Sequence, residues 1–417
     1  MAVATTNLEE RSEQYIKLIT GPAMDSNGLP MMVIDYENMR PLEDGDFPED
    51  TWRWKDSPAG YYAYENTGQM LGGWIAAETV RFQVTGDPQA KQNADQAFDG
   101  IRHVYNLGKE KVEGYFPKPY CGKISDQISR DQYEFVLAGL AEYHAIADEK
   151  ARKEMGHMMG KMVEYWMGLD YVDVYFGRSI DMLEDAVASH FLGTVRFPYT
   201  LTGDRKFLDE YNRLFHDKKL GERMPETLRA KFLQGETYDG ATYFRSAEQC
   251  MFMKTMAIDH LWDHDPEHGD LWRHSLEEFW KGDALVALNR DEGLVYGLVG
   301  FDPEKNETFL TEPGVIEEID NEHLQDAIMN WGGHWMTPVS AELALTAAVI
   351  GDRLGLAEAV DTSKLILGKM TLEKFRGHTV PDESHLPPGQ KWKDFLWSEM
   401  IVYWLWAYWL GRHRKLW

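Results

Sequence analysis

Three times along the chain an apolar helical pattern ends in an aliphatic or β-branched residue followed by a glycine and an aspartate, and a second amphipathic pattern begins directly after it. The marks are Val84-Thr85-Gly86-Asp87, Leu201-Thr202-Gly203-Asp204 and Val349-Ile350-Gly351-Asp352, with Ala147-Asp148-Glu149 as a degenerate fourth. Glycine closes a helix in a left-handed conformation that other residues resist, and aspartate caps the N–H groups of the next helix. Each mark therefore predicts a helical hairpin. Successive aspartates lie 61, 56 and 148 residues apart, and 148 is close to three such units. The spacing predicts about six hairpins in an all-α chain.

Apolar periodicity agrees. Residues 68–84, 131–147, 181–201, 247–261, 337–350 and 394–409 repeat apolar side chains at three and four positions over several turns, while alternating strand-like runs are scarce. The most apolar run, Met400 to Leu410, has eleven residues, too few to cross a bilayer and suited to a buried helix. A net charge of −26, from 43 basic and 69 acidic residues, argues against nucleic acid and anionic membrane surfaces as partners. With only Cys121 and Cys250, a disulfide framework and a cysteine-only zinc site are both excluded. The N-terminus has no basic and apolar signal pattern, so the chain as given is expected in the cytoplasm, or in the periplasm or outside the cell if a signal was removed.

Six hairpins of this size, each with a more apolar first helix, resemble the (α/α)6 toroid of the six-hairpin glycosidases and related polysaccharide lyases, over roughly residues 60 to 415. The expected organisation is an N-terminal extension, 1–59, packing on a catalytic toroid, 60–417. The Asp-rich runs of terpene cyclases are missing, as are the P-loop, Gly-x-Gly-x-x-Gly, Gly-x-Ser-x-Gly and His-Glu-x-x-His. No cofactor and no metal is expected. His260, His264 and His268 are spaced like ligands, but Pro266 interrupts them in an acidic turn, and zinc needs ligands that converge on one point.

The resemblance implies a cup lined by the segments that lead into the inner helices. The first such segment is Ser125 to Tyr133. Here Asp126 and Asp131 are catalytic candidates, with Arg130 and Gln132 as substrate contacts. The competing reading is a capping box from Ser129 to Gln132. Because the helix dipole stabilises negative charge at Asp131, that residue is better placed as base or electrostatic stabiliser, leaving Asp126 as proton donor. A second segment offers Glu65 as a further catalytic carboxylate beside Tyr64 and Asn66, in a loop before a helix capped by Thr67. A third places Trp331, His334 and Trp335 in a glycine-loosened loop, with Thr337 and Pro338 starting the helix. A fourth adds Asp239 and Arg245, although Asp239-Gly240 also reads as a plain turn. The stripe Tyr403, Trp404, Trp406, Tyr408 and Trp409 reads as core.

The chain has 15 Trp, 20 Tyr and 18 Phe, and aromatic rings stack on the apolar faces of pyranoses while carboxylates and amides answer the hydroxyls. Hydrolysis of a glycosidic bond needs one protonated and one ionised carboxyl. Arg130, with His334 and Arg245, suits an anionic sugar. Among six-hairpin families the chain looks most like the uronic-acid enzymes, glucuronidases or unsaturated-uronyl hydrolases. The expected activity is a glycoside hydrolase that releases a terminal uronic acid, saturated or unsaturated, from an oligosaccharide. The alternatives are a polysaccharide lyase or sugar epimerase on the same toroid, or a non-enzymatic helical binding protein. Oligomeric state and linkage stay open.

Overall fold

The computed structural model describes residues 2–47, 57–120, 125, 128–175, 178–184, 187–227, 237–238, 241–245, 248–281, 288–289, 294–295, 298–302, 307–310, 332–377 and 394–417. Its helices are α1 (Ala2–Thr20), α2 (Pro58–Tyr64), α3 (Thr67–Thr85), α4 (Pro88–Lys109), α5 (Arg130–Tyr143), α6 (Glu149–Gly168) and α7 (Phe191–Thr202). They continue as α8 (Arg205–Asn212), α9 (Glu248–His264), α10 (Gly269–Phe279), α11 (Gly332–Leu354), α12 (Ala357–Lys369) and α13 (Ser398–His413), with a few single turns between.

Six of these form a closed ring: α3 packs on α5, α5 on α7, α7 on α9, α9 on α11, α11 on α13, and α13 returns to α3. The outer helices α4, α6, α8, α10 and α12 lie against this ring, and α1 lies against α13 and α12. The architecture is the all-α (α/α)6 toroid expected from the hairpin marks. Helix α13 shows why inner and outer helices differ: every residue from Ser398 to Gly411 is buried, as a helix apolar on all sides requires. Crossings in the ring are close. A Cβ at Gly72 would fall 2.1 Å from the Phe135 carbonyl oxygen, and one at Gly139 would fall 2.2 Å from that of Gly72. Only glycine lets α3 and α5 approach to this degree.

Three of the four marks behave as expected. Gly86 and Gly203 are left-handed caps with φ of 68° and 71°. Asp87, Asp148 and Asp204 each accept a hydrogen bond from an N–H in the following turn. The mark at Gly351-Asp352 is different. Helix α11 continues to Leu354, the left-handed glycine is Gly355 with φ 64°, and α12 starts after Leu356 without a side-chain cap. Asp352 instead pairs with Arg414 at 3.1 Å. The helix expected over 181–201 is also shorter: a β-hairpin, β2 (Val172–Tyr175) with β3 (Arg178–Asp181), ends at Asp181, a 3-10 turn covers Ala188–His190, and α7 begins only at Phe191.

Small sheets decorate the ring. β1 (Val33–Asp35) pairs with a late strand, Phe395–Trp397, which also pairs with Arg376–Gly377, tying the two ends of the chain together beside the N-terminus of α13. A four-stranded antiparallel sheet joins Thr237–Tyr238, Ala241–Arg245, Leu298–Asp302 and Glu307–Leu310.

Candidate functional site

The inner helices run parallel, so their first turns meet at one end of the ring. At that end lies Glu399, the second residue of α13 and 1% exposed. Three donors hold its carboxyl. Asn66 Nδ2 and Trp397 Nε1 donate to Oε2 at 3.1 and 3.0 Å, and the Tyr403 hydroxyl donates to Oε1 at 3.2 Å. Burial pushes Glu399 up to about 7, a rise that these donors oppose and the Asp131 carboxylate reinforces. Burial and the nearby Glu399, Glu342 and Asp131 carboxyls likewise push the Tyr403 phenol well above its ordinary value. Asp131 is the second residue of α5, and its Oδ1 is shielded from water with no hydrogen-bond partner among the described residues.

An amide chain stands behind this pair. Gln132 Nε2 donates to Asn66 Oδ1 and to Gln69 Oε1, both at 3.3 Å, and Gln132 Oε1 accepts from the backbone N–H of Gln69 at 3.2 Å. The expected capping box is therefore absent: Ser129 is the N-cap of α5 without a side-chain cap bond, and Gln132 is committed to α3. Gln132 is 1% exposed, as Glu399 is.

A second acid and base sit between α5 and α7. Glu134 and His190 are wholly buried, with His190 Nδ1 3.3 Å from Glu134 Oε2 and the Thr194 hydroxyl donating to the same oxygen. Burial pushes Glu134 up to about 8, opposed by the Thr194 hydrogen bond. Burial, with the charges of Arg130 and Lys254, holds His190 well below its ordinary value. Both groups are thus neutral near pH 7, and His190 Nε2 has no hydrogen-bond partner among the described residues. Lys254 itself caps backbone carbonyls of Arg223, Met224 and Glu226 at 3.2, 3.3 and 2.8 Å.

Other expected residues fall elsewhere. Glu65 follows α2 directly, and its carboxylate is held by Lys118 and by the Tyr120 hydroxyl. Tyr64 is not in a loop but ends α2, where its hydroxyl donates to Asp25 Oδ2 at 3.0 Å, away from the ring. Asn66, not Thr67, is the N-cap of α3. Arg130 opens α5 with Nη1 3.8 Å from Met182 Sδ. His334 and Trp335 lie within α11, which begins at Gly332 and runs through Pro338. Proline's fixed φ is compatible with a helix, so Thr337-Pro338 does not start it. The side chains of His334, Trp335 and Arg245 lie outside the described part, as do Asp126, Trp331 and Asp239 altogether.

His260 is half-buried with Nε2 3.2 Å from the Thr200 hydroxyl, and His268 bonds Asp265 at 2.9 Å. No group of metal-ligating side chains converges among the described residues. Glu399 is the residue that sequence reasoning missed. It is the lone acid in an otherwise apolar helix, a position that demands a partner. A cleft of about 630 Å³ lies between the outer helices α6 and α8, where Lys161 pairs with Glu164 and Lys206 with Asp204. It takes in none of the residues around Glu399.

No family model matches the chain, and no curated protein matches it. Among solved structures it is similar to a D-mannose isomerase, with 12% identity and a TM-score of 0.48 over 87% of this chain and 84% of the other. It is similar to a sugar epimerase from a ruminal bacterium, at 13% identity and a TM-score of 0.46 over 95% and 98% of the two chains. A cellobiose 2-epimerase from Bacillus thermoamylovorans B4167 shows 11% identity and a TM-score of 0.47 over 88% and 86%. No helix among the described residues is long and apolar enough to cross a membrane.

Proposed function

We propose that the protein is a carbohydrate-active enzyme, a glycoside hydrolase that releases a terminal uronic acid from an oligosaccharide, with Glu399 as proton donor and Asp131 as base or electrostatic stabiliser. One observation carries this reading. Two carboxyl groups, each the second residue of an inner helix, sense each other, yet Glu399 is buried and pushed up to about 7 while Asp131 is only partly buried. A protonated and an ionised carboxyl at one site is the division of labour that glycosidic cleavage needs. Trp397 supplies an aromatic ring beside Glu399, and Arg130 supplies a guanidinium one residue from Asp131 for a uronate carboxylate.

A second reading, elimination or epimerisation, is favoured by His190. A neutral buried imidazole whose Nε2 has no partner among the described residues is placed to act as a base that removes a proton next to a carbonyl or carboxylate. One experiment separates them. Purified protein is incubated with saturated and unsaturated uronate oligosaccharides while ultraviolet absorbance and products are followed. Release of a free uronic acid, with loss of absorbance for the unsaturated substrates, supports hydrolysis. A rise in absorbance indicates a lyase, and a new sugar of unchanged mass indicates an epimerase. No conversion of any uronate substrate counts against the proposal.

A further inference from the structure

We infer that Gln132 is a positioning residue that fixes the amide of Asn66 so that it presents an N–H, and not its carbonyl oxygen, to Glu399. A side-chain amide has a donor end and an acceptor end, and its orientation is set by the network around it. Here the network has a fixed origin. The backbone N–H of Gln69 can only donate, and it donates to Gln132 Oε1 at 3.2 Å. That contact turns Gln132 Nε2 outward, where its two hydrogens reach Gln69 Oε1 and Asn66 Oδ1, each at 3.3 Å. With its oxygen so engaged, Asn66 has only its Nδ2 to offer Glu399 Oε2, at 3.1 Å. Polarity thus passes from a backbone donor through two amides to the carboxyl.

Gly68 makes room for this chain. A Cβ at that position would lie 2.5 Å from Gln132 Oε1, closer than any stable contact, so a side chain there would push the amide off the α3 backbone. The consequence reaches the proton on Glu399, because a donor aimed at a carboxyl stabilises its ionised form. The other groups that bear on Glu399 are Trp397, the Tyr403 hydroxyl and the Asp131 carboxylate, and Glu342 faces Tyr403 from α11.

The role of Glu399 as a proton donor belongs to the proposed function, but the positioning by Gln132 can be tested without any substrate. The Trp397 indole N–H donates to Glu399 Oε2 at 3.0 Å, so its NMR signal, assigned by its loss in W397F, reports the ionisation of that carboxyl. The midpoint should lie near 7 in the unaltered protein. In Gln132→Met, which keeps the side-chain length without hydrogen bonds, the midpoint should rise by about half a unit or more. Gly68→Ala should move it in the same direction, which keeps the test alive if the methionine variant does not fold. Asn66→Ala should also raise it, and adding Gln132→Met to Asn66→Ala should move it no further.

A midpoint unchanged in both Gln132→Met and Gly68→Ala, or additive shifts in the double variant, would overturn the inference. Where turnover is measurable, the alkaline limb of kcat should follow the same shifts. A protein with no glycosidase activity whose midpoint still moves as stated would sink the proposed function and leave the positioning role standing.

Discussion

Glu399 and Asp131 have the same functional group and differ in what surrounds it. Glu399 is enclosed by apolar side chains and three donors, whereas Asp131 has one oxygen shielded and unpartnered among the described residues. Replacing either should leave the fold intact, because Asn and Gln keep the shapes. Asp131→Asn and Glu399→Gln should each lower kcat by about 100-fold or more on a uronate oligosaccharide, the scale of a lost acid or base. Full activity in either variant would remove that residue from the mechanism. As proton donor Glu399 must be protonated, so kcat should fall as pH rises through about 7, and a pH profile that keeps rising past 8 would contradict that role. Asp131, Asn66 and Gln132 were legible because polar residues crowd the segments before apolar helices. Glu399 was not, since its neighbours Met400 to Leu410 make the helix read as core, and a single acid barely disturbs such a pattern. Nothing near Glu65 in sequence announces Lys118, the lysine that pairs with it.

At the scale of elements, the hairpin marks carried most of the fold because capping is local chemistry. Gly86, Gly203 and the aspartates after them obey it, and so does the degenerate Asp148, which accepts from Ala151 N–H at 2.8 Å. Asp148→Ala should cost about 0.5–2 kcal/mol, and Asp148→Asn almost nothing, since asparagine caps as well. Asp352 should behave otherwise. It holds Arg414 by charge, so Asp352→Asn should lose about as much stability as Asp352→Ala in urea titrations. Equal tolerance of asparagine at both positions would restore Asp352 as a cap. The sequence could not distinguish these cases, because Gly351 and Gly355 stand one turn apart and either can end a helix. What decides is tertiary: Gly351 is pressed against Val360, and a Cβ there would lie 2.6 Å from its Cγ2. Thr337-Pro338 is a further case: a proline that commonly begins a helix here lies inside one, since α11 already begins at Gly332.

For the whole molecule, parallel inner helices separate two ends with opposite electrostatics. At the end opposite Glu399 the last turns bring Asp259, Asp263 and Asp352 together with Arg353 and Arg414, cations well placed against helix C-termini. Burial alone would raise Asp259, but Arg414 and Arg353 outweigh it and hold the carboxyl at about 2. Its contribution to stability is present above the ordinary carboxylate range and is lost as pH falls toward 2. The buried carboxyls of Glu399 and Glu134, pushed up to about 7 and about 8, act with the opposite sign. The folded chain binds protons there that the unfolded chain releases, so their contribution is complete below about 4.5 and is lost as pH rises through 7 and 8. Urea midpoints should therefore climb as pH falls from about 8 to about 5 and drop again below about 4. Glu134→Gln should flatten the neutral arm, and Arg414→Met should flatten the acid arm while destabilising the ring by about 3–5 kcal/mol, because Asp259 loses a largely buried partner. His190 and His260, held well below their ordinary value by burial, blunt this climb below about pH 6.5, so the decisive comparison is with Glu399→Gln: an unchanged slope between about pH 7 and 8 in that variant would mean that Glu399 is ionised inside the fold, and the proton donor would then have to be sought in another residue.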